Sequence, residues 1–126
     1  MPRAAVPELL AGIERHLARS GARIGFPVEV RFAAADDIWL STAYGRDTGY
    51  VAVHQYHRRD HEDYFRAVED VARSLGGRPH WGKLHYRDAA SLREAYPRFD
   101  DFRAVRDKLD PGRTFGNDYL TTVLGD

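Results

Sequence analysis

Apolar residues change period early in this chain. Val6, Leu9, Leu10, Ile13 and Leu17 recur at helical spacing, but across residues 26–34 Val28, Val30 and Phe32 alternate with Glu29 and Arg31. A helix followed at once by a half-buried strand points to helices layered on a sheet. Gly21 is placed to end the helix. Residues 35–48 are polar and irregular apart from Ile38, Trp39 and Leu40. A second strand is expected from Gly49 to about residue 58, with Tyr50, Ala52, His54 and Tyr56 on one face and Val51 and Val53 on the other. Asp60 reads as the N-cap of a helix over residues 61–75. Tyr64, Phe65, Val68, Val71, Ala72 and Leu75 form its stripe, and Gly76-Gly77 stops it.

The rest repeats these two periods. Residues 78–86 read as a third extended stretch broken at Gly82, and residues 88–95 as a short helix. A helix over residues 98–109 is expected to bury Phe99, Phe102, Val105 and Leu109 before the Asp110-Pro111-Gly112 turn. Three strands and four helices in this order suit an α+β fold, an antiparallel sheet backed by helices. The apolar residues of the tail, Phe115, Tyr119, Leu120, Val123 and Leu124, are expected to bury somewhere, a surface this chain lacks being one option.

With 126 residues there is room for one domain and one modest core. The 19 basic and 19 acidic side chains cancel, which argues against a nucleic-acid partner. No apolar run approaches the roughly 18 residues of a membrane span, and the first twenty positions space their charges at helical intervals, unlike a secretory leader. The chain has no cysteine, so thiol chemistry is excluded and a cytoplasmic setting is expected. The excess of arginine over lysine reads as genomic base composition, without chemical meaning.

Three clusters could carry chemistry. Glu29 and Arg31, two apart on a strand, share a face on which an acceptor and a fixed donor fork could hold a polyhydroxylated ligand; the alternative is a solvated ion pair. His54, His57 and His61 lie within eight positions, but strand alternation sends His54 and His57 to opposite faces, so no metal site is expected. In Arg78-Pro79-His80-Trp81-Gly82-Lys83-Leu84-His85 a lysine flanked by glycine, aromatic and histidine could act as a fixed point charge. The alternative there is a packed Trp81 among surface charges. No glycine-rich phosphate loop and no GxSxG elbow occur. Asp36-Asp37 and Asp100-Asp101 read as solvated surface.

The run His80-Trp81-Gly82-Lys83 after Arg78-Pro79 resembles a known family. So does the ending Tyr96-Pro97, Phe99, Phe102, Arg106, Leu109-Asp110-Pro111-Gly112, Phe115, Asn117, Tyr119-Leu120 and Leu124-Gly125. Together they resemble the C-terminal part of the FAD-linked sugar-lactone and alditol oxidoreductases, which include D-arabinono-1,4-lactone oxidase, L-gulonolactone oxidase and alditol oxidase. The likeness runs from about Phe26 to the end of the chain. It implies a partial cap domain of a vanillyl-alcohol-oxidase-type flavoenzyme, lying over a flavin that takes a hydride from a hydroxyl-bearing carbon while a base takes the hydroxyl proton.

The resemblance also implies roles. Glu29 and Arg31 match an E-x-R pair that binds the sugar, and His54 and Tyr56 lie on the next strand near the substrate. Arg31, His54 and Lys83 would be catalytic, and Lys83, Asn117 and Tyr119 would stand toward the cofactor. Residues 1–126 are then expected to be one substrate (cap) domain with no FAD-binding domain, inactive or nearly so alone. The expected partners are a sugar lactone or polyol, with a separate FAD-domain chain or a homodimer. A sugar or sugar-acid binding module without redox activity, and a structural remnant, are the other readings carried forward.

Overall fold

The computed structural model describes residues 1–125. A 3-10 turn (Arg3–Ala5) leads into α1 (Val6–Ser20), followed by β1 (Glu29–Ala33), β2 (Thr48–Ala52), α2 (Glu62–Ser74), α3 (Ala89–Ala95), α4 (Phe99–Leu109) and α5 (Asp118–Leu124). The fold is α+β, and its sheet has two antiparallel strands among the described residues. Glu29 faces Ala52, Arg31 faces Tyr50 and Phe32 faces Gly49. Glu29, Arg31, Tyr50 and Ala52 therefore share one face, and Val30, Phe32, Gly49 and Val51 share the other.

Local chemistry accounts for the helix ends. Pro7 lies in the first turn of α1, where no helical N–H is needed, and Gly21 closes it in the left-handed conformation with its N–H on the Leu17 carbonyl. The Asp88 carboxylate accepts from the Ser91 N–H while the Ser91 hydroxyl oxygen accepts from the Asp88 N–H, a capping box that starts α3. The Asn117 side chain likewise accepts from the Leu120 N–H at the start of α5.

Two apolar clusters form. In the first, Met1, Val6, Leu9 and Ile13 pack with Tyr64 and Val68 of α2, and Val51 and Val53 border them from the sheet. In the second, Leu92 and Tyr96, Phe99 of α4, and Val123 and Leu124 of α5 are almost fully buried, with Trp81 and Leu40 against them. Arg78 ties the halves together. Its guanidinium donates to the Ala95 carbonyl at 2.9 Å and to the Tyr44 carbonyl at 2.9 Å, and it lies over the Tyr96 ring.

Several expectations are corrected. The strand over 26–34 shrinks to Glu29–Ala33, and it is not half-buried, because β1 is an edge strand whose apolar face no helix covers: Phe32 is 55% exposed. The second strand ends at Ala52, so Tyr56 lies in a loop and not on a strand face. Residues 78–86 form no strand; turns and side-chain bonds hold them. In the first turn of α2 the Asp60 carboxylate accepts from the Glu62 N–H, but His61 occupies the capping position. Val105 and Leu109 are exposed, since α4 packs mainly through Phe99. Part of the tail buries within the chain: α5 brings Val123 and Leu124 against α3 and α4, while Phe115 stays exposed. Asp126, the last residue of that tail, lies outside the described residues.

Candidate functional site

A cleft of about 440 Å³ runs along β2, between α2 and the loop of residues 77–87. Met1 and Val51 lie at its inner end, Phe65 and Glu69 on its helical wall, and His54 and Lys83 also line it. His54 lies two residues past the end of β2 and is exposed, with the Phe26 ring 6.4 Å away. The strand direction thus delivers His54 to the cleft, although the strand itself has already ended.

Lys83 is presented by a turn. Its N–H donates to the His80 carbonyl at 3.0 Å, and the Gly82 N–H donates to His80 Nδ1 at 3.0 Å. A neutral His80 therefore carries its proton on Nε2. Between them Trp81 turns inward, donating from Nε1 to the Leu40 carbonyl at 3.1 Å and stacking 5.4 Å from the Tyr96 ring. The packed tryptophan and the exposed lysine, which the sequence leaves as competing readings, hold together: the first anchors the turn that displays the second.

Behind the turn lies a polar relay. The Arg87 N–H donates to His85 Nδ1 at 3.2 Å, so neutral His85 holds its proton on Nε2, 2.9 Å from the Tyr119 hydroxyl. Tyr119 in turn donates to the Trp81 carbonyl at 2.6 Å. Burial lowers the His85 pKa and favours that neutral form, and burial raises the Tyr119 pKa. Both Glu69 oxygens accept from the Tyr86 N–H, tying the loop to α2. Neither Glu69 nor the His85–Tyr119 pair carries a local sequence signal; the latter two are 34 positions apart. Met1's ammonium, donating to the Gly49 carbonyl at 3.2 Å, has its pKa lowered to about 6, by burial first and then by Arg46 and Arg78.

The structure brings His54 and Lys83 to one cleft, and it does not bring the other candidates there. Glu29 and Arg31 are ion-paired with each other on β1, Arg31 largely exposed, on the sheet face that also carries Tyr50 and Ala52. Tyr56 is exposed, its ring edge-on to His57. Asn117 caps α5, and Tyr119 reaches the lysine turn from behind through Trp81. Among the described residues no three histidine, aspartate or glutamate side chains gather as a metal site, and no helix is long and apolar enough to cross a membrane.

Comparison with known proteins places this geometry in a family. The family model of D-arabinono-1,4-lactone oxidase matches residues 1–123. The chain is 56% identical to L-gulono-1,4-lactone dehydrogenase of Mycobacterium tuberculosis over 99% of its own length and 29% of that protein. It is 41% identical to L-gulonolactone oxidase of Bos taurus over 79% of its length and 23% of that protein. With alditol oxidase of a Streptomyces species the identity is 38% over 98% of the chain and 30% of the relative. The chain thus spans less than a third of the length of these relatives, and by its match over nearly every residue it belongs to the D-arabinono-1,4-lactone oxidase family.

Proposed function

We propose that this chain is the substrate-binding part of an FAD-dependent oxidoreductase that oxidises a CH–OH group of a sugar lactone or alditol, with the flavin held mainly by polypeptide outside it. The observation that carries this reading is the joint placement of His54 and Lys83 in one concave site, in a chain of this family. The donor set fits the ring end of a flavin: one flexible cation and the ring nitrogens of His54 and His80, with no glycine-rich loop for a diphosphate. Bound flavin supplies the hydride acceptor. His54 takes the proton of the reacting hydroxyl, and the Lys83 ammonium stabilises negative charge as it develops on that oxygen. Glu29 and Arg31, already paired, hold further hydroxyls of the ligand in fixed orientation along the sheet face that leads to the cleft.

The test is complementation. The chain is mixed with the upstream portion of the Mycobacterium tuberculosis relative, expressed with FAD, and dye reduction is followed with L-gulono-1,4-lactone and with xylitol. Turnover in the mixture and in neither part alone supports the reading, and Lys83→Met should then lower kcat at least about tenfold. Saturable lactone binding to the lone chain, lost in Arg31→Ala, with no turnover in any mixture would favour a binding module instead.

A further inference from the structure

The free edge of β2 carries information that the cleft alone does not. Met1 and Gly49 exchange both backbone hydrogen bonds, the Gly49 N–H on the Met1 carbonyl at 3.0 Å and the Met1 nitrogen on the Gly49 carbonyl at 3.2 Å. Pro2 bridges Thr48 in the antiparallel sense, and the Arg3 N–H donates to the Asp47 carbonyl. Residues 1–3 are therefore the end of an antiparallel ladder on the side of β2 away from β1. Backbone polar groups alternate sides along a strand, so those of Val51 point to the same side as those of Gly49, and continuing that alternation one residue past the end of β2 adds Val53. There they open into the cleft beyond Met1, where no strand among the described residues pairs with them.

We propose that this edge is a docking site for one more β strand: an extended polypeptide segment joined to the Met1 nitrogen and running antiparallel to β2. The register follows from the Met1–Gly49 pair. The second residue ahead of Met1 would exchange bonds with Val51, and the fourth with Val53. Side chains at those two places share the face of Val51, Val53 and the buried Met1, so they should be apolar, while the first and third, on the face of Tyr50 and Ala52, can be polar. Three observations select this occupant. Met1 is buried and already in strand register. Its ammonium is held among Arg46 and Arg78 with its pKa depressed, and an amide there removes the charge. Finally, relatives more than three times as long have polypeptide to supply such a strand. A strand here would also occupy the part of the cleft lined by Val51 and Val53.

The test grafts the five-residue probe Thr-Val-Thr-Val-Thr ahead of Met1 and follows amide hydrogen exchange residue by residue. Exchange at Val51 and Val53 should slow at least about tenfold relative to the unextended chain. A second probe, Thr-Pro-Thr-Pro-Thr, puts proline at the paired places and should lose most of that protection. A third, Pro-Val-Pro-Val-Pro, puts it at the unpaired places and should keep it. Unchanged exchange with the first probe, or equal protection by the two proline probes, would overturn the proposal. Protection of the unextended chain that rises with concentration alongside a dimer in sedimentation would assign the edge to a second copy, and would overturn it as well. No arm depends on turnover, so failure here is distinct from failure of the proposed function.

Discussion

The C-terminal helices close a core that the N-terminal sheet leaves open. Leu92, Tyr96, Phe99 and Val123 each keep 1% or less of their surface exposed, although α3 and α5 have only seven residues each. In and just before β1, by contrast, Phe26, Val28, Val30 and Phe32 are all exposed, and the Arg3 guanidinium lies over the Phe32 ring. Short helices need tertiary packing, and these have it; a two-stranded sheet needs a further layer or strand, and here β2 borders the α1–α2 cluster through Val51 while β1 stays largely exposed. The C-terminal core is closed within the described residues, and the outer face of β1 is not. The largest effect should therefore come from Phe99→Ala, which empties the closed core and should cost about 3–5 kcal/mol in urea unfolding. Phe32→Ala should cost less than about 1 kcal/mol, because its ring is already half in water. Similar losses for the two would remove the distinction.

A smaller effect tests a place where the sheet is closed against α1. A Cβ on Gly49 would come within 2.2 Å of the Val6 Cγ2 methyl, which belongs to a stiff β-branched side chain at the start of α1. Gly49→Ala should therefore destabilise by about 1–3 kcal/mol, read as a fall in Tm, by forcing β2 away from α1. A neutral outcome would mean that the sheet floats on the helix even here.

The contrast between the regions also explains what the sequence could show. The helix over residues 6–17, its Gly21 end and the Gly76-Gly77 stop are set by neighbours a few positions away, and all were legible. So was the pairing of Glu29 and Arg31 on one face, since strand alternation is local. The period-two pattern of Val28, Val30 and Phe32 promised burial, but alternation marks only the side a core would take, not whether a layer is present to cover it. The 78–86 stretch has strand-like composition, yet Glu69, Leu40 and Tyr119 hold it as a loop through contacts 17, 41 and 38 positions distant. For the candidate site, the motif singled out Lys83, which lines the cleft. The relay behind it was not, because no spacing rule joins His85 to Tyr119.

The sheet's open edge also makes stability depend on pH. With the Met1 ammonium lowered to about 6 in the folded chain against 8.0 for an ordinary terminus, the unfolded chain binds more protons between those values. Stability should rise from pH 6 to pH 8, by about 1–2 kcal/mol once solvent screening is allowed for, and be flat above. Nα-acetylation should abolish the part of the slope between pH 7 and 8. His85, also lowered by burial, acts in the same sense but below its ordinary value of 6.5, so the region nearer pH 6 keeps some slope after acetylation. A slope unchanged by acetylation would place Met1 in water and weaken the reading of that edge.

A small effect should be the most informative about the site. Tyr119→Phe removes the hydroxyl that accepts from His85 Nε2 and donates to the Trp81 carbonyl, while leaving the ring in place. Both partners lie close enough to solvent to recover a water, so the loss of stability should be only about 1 kcal/mol. The closed helical core should not register it, since Phe99 and Leu92 make no use of that hydroxyl. What should change is the turn that displays Lys83. Its carbonyl anchor at Trp81 is gone, so amide exchange at Gly82 and Lys83 should speed up several-fold while exchange in α3 and α4 stays the same. If the exchange of the turn does not change, then Trp81 packing against Tyr96 alone fixes Lys83, and the tail's last helix belongs to the closed core and has no part in the site.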